Sequence, residues 1–329
     1  NLLKSLLFYN HYVYKRVSLH QIFTYNTIYT SVIALILATI CAALFSILFK
    51  IFKLKSIDTM PAIIYNYLAA TVLSLVFSYN GSNGFVNPVQ TDWFYPAIFT
   101  GLIFILGMMV LSVCTIRVGV AISTVSSRVS MIIPILVNYL FIPGSEKPQW
   151  IAIIVILFAM SLIVWQKREN SGSERGDKSV LDIIIPLSVF VMFGLSNSFL
   201  KLVQHSISSN SSLSDTSVNQ QLSMVTFVIF ISAAVMGGVF IIFNKKSKLA
   251  MMLKWKNILG GIALGASNFF CTYLLMVAMK SIKTELLFPL HNIGIVAIGV
   301  IAGWGFYHEK MKPHQIVGFV IAAIAICFL

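Results

Sequence analysis

The chain has 329 residues, 58% of them hydrophobic and only 10% charged, a balance that excludes an ordinary water-soluble globular domain. Its 23 Lys and Arg against 10 Asp and Glu give a formal net charge of +13. The basic residues are scattered through short connections with no basic helix or RNA-binding motif, which argues against nucleic acid as a partner and for a lipid bilayer.

Residues 1–27 are basic and aromatic, without the long apolar core and small-residue cleavage site of a secretory signal, and are expected to form a surface tail. Ten apolar runs follow, at about 28–49, 60–77, 93–114, 118–141, 150–165, 181–200, 224–243, 258–279, 286–306 and 316–329. At ~1.5 Å per residue nearly all are long enough to cross a hydrocarbon core of ~30 Å as helices. The tenth is short and runs into the chain end, as expected of a clipped chain. Helices are expected because lipid offers backbone groups no partners, and the alternation typical of barrel strands is absent. Trp93, Trp150, Trp165, Trp255 and Trp304 all fall at or close to span ends, the level that amphipathic rings prefer. Cys41, Cys114, Cys271 and Cys327 lie within apolar spans without paired spacing. They read as buried thiols, so no disulfide framework, metal or other cofactor is expected.

In the first span Ala34, Ala38, Ala42 and Ser46 recur every four residues, a small-residue stripe suited to helix packing. The second carries Asn66 between Tyr65 and Tyr67, a candidate cavity-lining group. The fourth is the most unusual: Ser123, Ser126, Ser127, Ser130, Pro134 and Asn138 form one stripe at 100° per residue, with Thr124 and Arg128 to its side. Arg128 lies too deep for easy snorkelling, and an ionised group there costs about 2.5–3.5 kcal/mol on insertion scales, so it should face a cavity or a partner. The serines either line a solute path with it or serve close packing.

The sixth span places Gly194, Asn197, Ser198 and Lys201 on one face; Asn197 is a candidate contact, and Lys201 binds solute or snorkels. The Ser-rich stretch 205–221 reads as a flexible surface loop. It contains a glycosylation tripeptide at Asn210, as Asn80 begins another. In the eighth span Gly261, Gly265, Asn268 and Thr272 align, with Tyr273 beside them. In the ninth, His291 and Asn292 follow Pro289, which loosens the helix. Glu285, just before it, either pairs with Arg128 or Lys283 or sits at the interface.

Two joins repeat. The stretches IPGSEKPQWIAIIV (142–155) and FYHEKMKPHQIVGF (306–319) each place Glu-Lys after an apolar helix and a proline at the opening of the next. Each lies between the fourth and fifth span of a group of five, and the polar stretch KRENSGSERGDKS (167–179) separates the groups. The expected organisation is a tail at 1–27, a five-helix repeat at 28–166, a linker at 167–180 and a second repeat at 181–329. Five being odd, the second copy enters from the opposite face, the inverted arrangement of secondary transporters. Fifteen Lys and Arg fall in odd-numbered connections and seven on the other side. The positive-inside rule then puts odd connections in the cytoplasm and both termini outside.

The stretch VGVAISTVSSRVSMIIPILVNYLF followed by EKPQWIAIIVILFAMSLIV, with its counterpart PLHNIGIVAIGVIAGWGFYHEKMKPHQIVGFVIAAIAI, resembles the fourth and fifth helices of each half of the drug/metabolite transporter superfamily, EamA-like branch. The resemblance covers about residues 28–329. It implies ten helices as two inverted halves around a central cavity, alternating-access transport of a metabolite, amino acid or drug, and cytoplasmic termini. The last point conflicts with the lysine count, so orientation stays open. The first span has no carboxylate, which removes a small-multidrug-type mechanism built on a first-helix glutamate.

The expected function is therefore secondary active transport of a small organic solute, anionic or zwitterionic by the evidence of Arg128 and Lys201, in a bacterial cytoplasmic membrane. The candidate site residues are Arg128, Ser123, Ser127, Ser130, Tyr65, Asn66, Asn197, Lys201, Asn268, Tyr273, His291 and Asn292. The competing readings are an integral-membrane enzyme, for which six scattered histidines and ten acids concentrated in connections make a poor catalytic set, and a non-transporting scaffold. No phosphate-binding loop of the ATPase type is present in the sequence.

Overall fold

The computed structural model describes residues 28–45, 47–49, 51–52, 54–79, 87–118, 120–143, 145, 147–164, 180–208, 215–243, 253–307, 313–326 and 328. The tail, most of the linker, the Glu309–Lys310 join and the two glycosylation tripeptides lie outside these residues. Regular structure among the described residues is entirely helical. The helices are α1 (Ile28–Phe49), α2 (Thr59–Ser78), α3 (Phe94–Arg117), α4 (Val120–Val129), α5 (Ile132–Phe141), α6 (Trp150–Val164), α7 (Leu181–Ser208), α8 (Asp215–Phe243), α9 (Trp255–Ala278), α10 (Thr284–Tyr307) and α11 (Pro313–Ile326). Eight spans are long and apolar enough to cross a membrane, with α4 and α5 together supplying one of them, while α6 and α11 are shorter apolar helices. Val76, Phe141, Ile151, Ile183 and Ile301 are exposed on the outside of the bundle. Such an apolar surface suits lipid and is unsuited to water, so the architecture is that of an integral membrane protein.

Four helices, α2, α3, α8 and α9, form the centre. The starts of α2 and α9 are clamped together: the Asp58 backbone N–H donates to Asn257 Oδ1 at 2.9 Å, and Asp58 Oδ2 accepts from Asn257 Nδ2 at 3.0 Å and from Lys254 Nζ at 3.1 Å. Deeper, the two helices close to backbone contact, since a Cβ at Gly265 would stand 2.5 Å from the Asn66 carbonyl oxygen and 2.8 Å from the Ala69 Cβ. Small residues allow such approach where dispersion, not water exclusion, holds helices together. Near their far ends Phe77 packs on Phe269 and Phe270, with ring centroids 5.1 and 5.7 Å apart. The order of these contacts makes α2 and α9 parallel.

The pair α3 and α8 is built the same way. Trp93 Nε1 donates to Gln221 Oε1 at 3.2 Å near the helix starts, and Ser232 Oγ donates to the Ile98 carbonyl at 3.3 Å further along. A Cβ at Gly101 would overlap Ser232 Oγ and the Ile229 carbonyl. Tyr67 and Phe230, both fully buried, join α2 to α8, whose contact runs antiparallel because Gln220 Nε2 reaches the Ser78 carbonyl at 3.3 Å. On the periphery α7 packs antiparallel to α3, with Arg117 Nε 3.1 Å from Asp182 Oδ1. The short helices α6 and α11 pack antiparallel, Gln315 Nε2 donating to the Ile163 carbonyl at 3.2 Å. The pairs Asp58–Lys254 and Arg117–Asp182 thus gather connections 1, 3, 5 and 7 at one face, which fits spans that strictly alternate in direction.

Three sequence expectations are altered. Residues 205–208 and 215–221, read as loop, are helical. Their polar side chains find partners: Gln204 with Ser208, Asn219 with Lys280, Gln220 with Ser78 and Gln221 with Trp93, so polarity there reflects tertiary bonding. Trp93 is buried in the bundle, its indole N–H satisfied by Gln221, whereas Trp150 and Trp255 are exposed at helix starts as expected of interfacial rings. The fourth span is broken between Val129 and Ile132.

Replacing Gly265 by alanine should lower thermal stability in detergent by the equivalent of about 1–3 kcal/mol of overpacking. Gly238→Ala, where a Cβ meets nothing within 4 Å, should leave it unchanged or slightly higher. A second measurement concerns Asp58, whose carboxyl is held below its ordinary value of 3.8 by the Asn257 hydrogen bond and then by Lys254. The stabilisation is complete above that value and lost as pH falls through the depressed one. Asp58→Asn should therefore cost about 0.2–1 kcal/mol near neutrality and flatten the acid limb of a melting-temperature profile.

Candidate functional site

The break in the fourth span has local causes. Ser130 Oγ donates to the Ser127 carbonyl at 2.6 Å, a local bond that competes with the helix ladder. Met131 N–H turns back to the Arg128 carbonyl at 3.2 Å, and Pro134 supplies no N–H for the Ser130 carbonyl, which accepts from Ile133 instead at 3.0 Å. Arg128 therefore stands in the last turn of α4, where the partial negative charge of a helix C-terminus favours a cation.

That dipole is a small compensation for a full charge. Among the described residues the guanidinium makes a single long hydrogen bond, from Nη1 to Asn292 Oδ1 at 3.4 Å, and its Nε is enclosed without a partner. The ion pairs among these residues are Arg117–Asp182 and Lys254–Asp58; no carboxylate lies within ion-pair distance of Arg128. Asn292 is itself held by donating to the Phe288 carbonyl at 3.0 Å.

Beside Asn292, His291 Nδ1 lies 3.0 Å from Thr39 Oγ1. The Thr39 hydroxyl donates to the Leu35 carbonyl at 2.7 Å, so its oxygen accepts from the ring. In the neutral imidazole this assigns the proton to Nδ1 and leaves Nε2 an acceptor. The thiol of Cys271 on α9 lies within electrostatic reach of both Arg128 and Cys41. Helices α1, α4, α9 and α10 thus converge on one polar centre, two from each half of the chain.

The centre continues along α9. Asn268 sits one turn before Cys271 on the same face and donates through Nδ2 to Asn66 Oδ1 at 3.2 Å. Both amides are buried, and Asn66 Nδ2 and the neighbouring Tyr67 hydroxyl have no partner among the described residues.

A second polar cluster lies near the far end of α5. The buried Glu285, in the first turn of α10, accepts from Asn138 Nδ2 at 3.1 Å, and Asn138 also donates to Ser145 Oγ at 3.3 Å. Lys201 donates to Gln204 Oε1 at 3.2 Å and to the Met279 carbonyl, at the C-terminus of α9, at 3.4 Å. Glu285 lies within its electrostatic reach.

Of the residues singled out from the sequence, Arg128, His291 and Asn292 come together, and Asn66 and Asn268 form the adjoining pair. Lys201 belongs to the second cluster. Ser123, Ser127 and Ser130 are buried, on a span that packs against α3, α6 and α7. Ser127 and Ser130 donate to their own helix and Ser123 accepts from Thr115 at 3.0 Å. Tyr273 stacks on Phe269 with centroids 5.8 Å apart. Tyr65 is half-buried against Gly261, and Asn197 is half-buried on α7. Glu285 is paired with Asn138, not with Arg128. Ala34, Ala38 and Ala42 are buried, in keeping with packing. The sequence did not single out Thr39, the polar residue next to Ala38 on the same helix, or Cys271 as a neighbour of the charge.

No family model matches the chain. It is 24% identical over 302 residues to an uncharacterized protein of Haemophilus influenzae, the match covering 89% of this chain and 95% of that one. Among solved structures it superposes on one described simply as a crystal structure of a protein, with a TM-score of 0.63, 8% identity and coverage of 90% and 95% of the two chains. The likeness shows a shared fold over nearly the whole length.

Truncating Asn138 to Leu would strand a buried carboxylate, with an expected loss of about 1–3 kcal/mol. Glu285→Gln keeps an acceptor for Asn138 and should lose clearly less. Melting temperatures of the two purified variants against the parent decide this.

Proposed function

We propose that this chain is a secondary carrier of a small organic solute, built as two inverted five-span halves and working by alternating access in a bacterial cytoplasmic membrane. The carrying observation is the Arg128 centre: a half-buried cation whose Nε is enclosed, with no carboxylate within ion-pair distance among the described residues, at a helix break where helices of both halves meet. Carrier sites are characteristically formed by discontinuous helices at the interface of repeats. Here α4 stops beside Arg128, and Pro289 interrupts the ladder of α10 just before His291 and Asn292.

The helix pairings support the two-unit reading. Numbering α4 and α5 as one span, the parallel pair of spans two and eight becomes the parallel pair of spans seven and three when each span is exchanged for the one five places away. Spans five and ten exchange with each other, and their antiparallel contact is what units of opposite direction require. The EamA-like resemblance of the fourth, fifth, ninth and tenth spans points the same way. The Asn138–Glu285 contact between α5 and α10 then acts as a closure on one side of the centre.

Purified protein in proteoliposomes should show saturable counterflow with at least one labelled metabolite. Weakening the closure by Asn138→Ala should change the rate of counterflow more than that of a centre-distant control such as Gly238→Ala. Covalent conversion of a solute would point to an enzyme, and absence of flux across a broad metabolite panel would remove the carrier reading.

A further inference from the structure

We infer that the Arg128 centre is a receptor for a single carboxylate group, carried on a solute that also offers a hydrogen-bond donor. The inference takes its physiological meaning from the carrier reading, but binding can be measured apart from flux. The first step is charge. A buried cation is stable when paired, and removing its partner leaves an expensive uncompensated charge. Among the described residues Arg128 has no carboxylate partner and its enclosed Nε has no acceptor. An anion supplied from outside completes the site.

The second step is shape. Nη1 is directed to Asn292, so the N–H groups without an acceptor among the described residues are those of Nε and Nη2, and that edge is the one a ligand would engage. That edge presents two roughly parallel N–H groups and matches the two oxygens of a carboxylate. One fixed positive charge calls for one negative charge. The other nearby cation, Lys201, is engaged with Gln204 and the end of α9 in the second cluster, so a dianionic group would remain half-compensated.

The third step concerns the rest of the solute. With Nδ1–H bound to Thr39, His291 Nε2 is an acceptor, and it takes an amino or hydroxyl N–H or O–H. Asn66 Nδ2, along the Asn268 face, is a free donor for a further oxygen.

The test is binding to the purified protein in detergent, by calorimetry, with lactate, glycolate and propionate, their uncharged amides lactamide, glycolamide and propionamide, and inorganic phosphate. At least one carboxylate should bind, with its amide weaker by about tenfold or more. Arg128→Gln should abolish that preference. Because it removes an uncompensated charge, it should also melt at or above the parent temperature without ligand. Arg128→Lys keeps the charge and loses the fork, so it should fold and bind the same acid more weakly than the parent; it serves if the glutamine variant does not fold. The proposal is overturned if acid and amide bind alike, if phosphate binds more tightly than every carboxylate, if nothing in the panel binds, or if Arg128→Gln keeps the preference. It is equally overturned if Arg128→Gln folds but melts well below the parent, since the arginine is then a packing strut tied to Asn292. Carboxylate binding without flux in proteoliposomes removes the carrier reading and leaves this site standing. Flux with no preference for the acid removes the site and leaves the carrier.

Discussion

A guanidinium set among apolar helices dictates much of what surrounds it, because hydrocarbon solvates neither its charge nor its N–H groups. Arg128 meets this constraint only in part. The end of α4 contributes its dipole and Asn292 contributes one long hydrogen bond, while Nε has no acceptor among the described residues. Asn292 is in turn fixed to the Phe288 carbonyl, and His291 is fixed to Thr39, so the groups around the charge are held by α1 and α10. The groups around the charge are therefore fixed in position before any further partner is met.

The same solvent accounts for the packing. With lipid outside, apolar burial gives helices little reason to associate, and close contact must come from small residues and polar bonds. The parallel pairs α2 with α9 and α3 with α8 use both means, glycine or serine at the crossing and a polar bond at the helix starts. Each joins a helix of the first half to one of the second. Neither half is a separate body, and a movement of one half against the other must pass through these four helices, with the polar centre beside them.

Helix existence was legible because lipid imposes a length and a hydropathy that a window of sequence reports directly. The starts of α7's last turns and of α8 were not, because Gln204, Gln220 and Gln221 look like loop residues until their partners Ser208, Ser78 and Trp93 are brought beside them. Arg128 was legible as anomalous, since a charge inside a span violates the rule that identifies the span. Its neighbours were only partly so. Asn292 and His291 stood out beside Pro289, but Thr39 is an unremarkable threonine in an apolar helix, and its contact with His291 spans 252 positions. The serines illustrate the reverse: periodicity put them on one face, and the bonds of Ser127 and Ser130 to their own helix and of Ser123 to Thr115 could not be read from it.

The sequence by itself determined that this is a helical protein suited to a membrane and which polar residues fall within its apolar segments, because those properties follow from the transfer of single side chains into hydrocarbon. Tertiary structure decided which of those residues meet. It joined Arg128 to Asn292, moved Glu285 to Asn138, and separated Lys201 from the centre, because such contacts depend on helix direction, rotation and register, which no local free energy of transfer specifies.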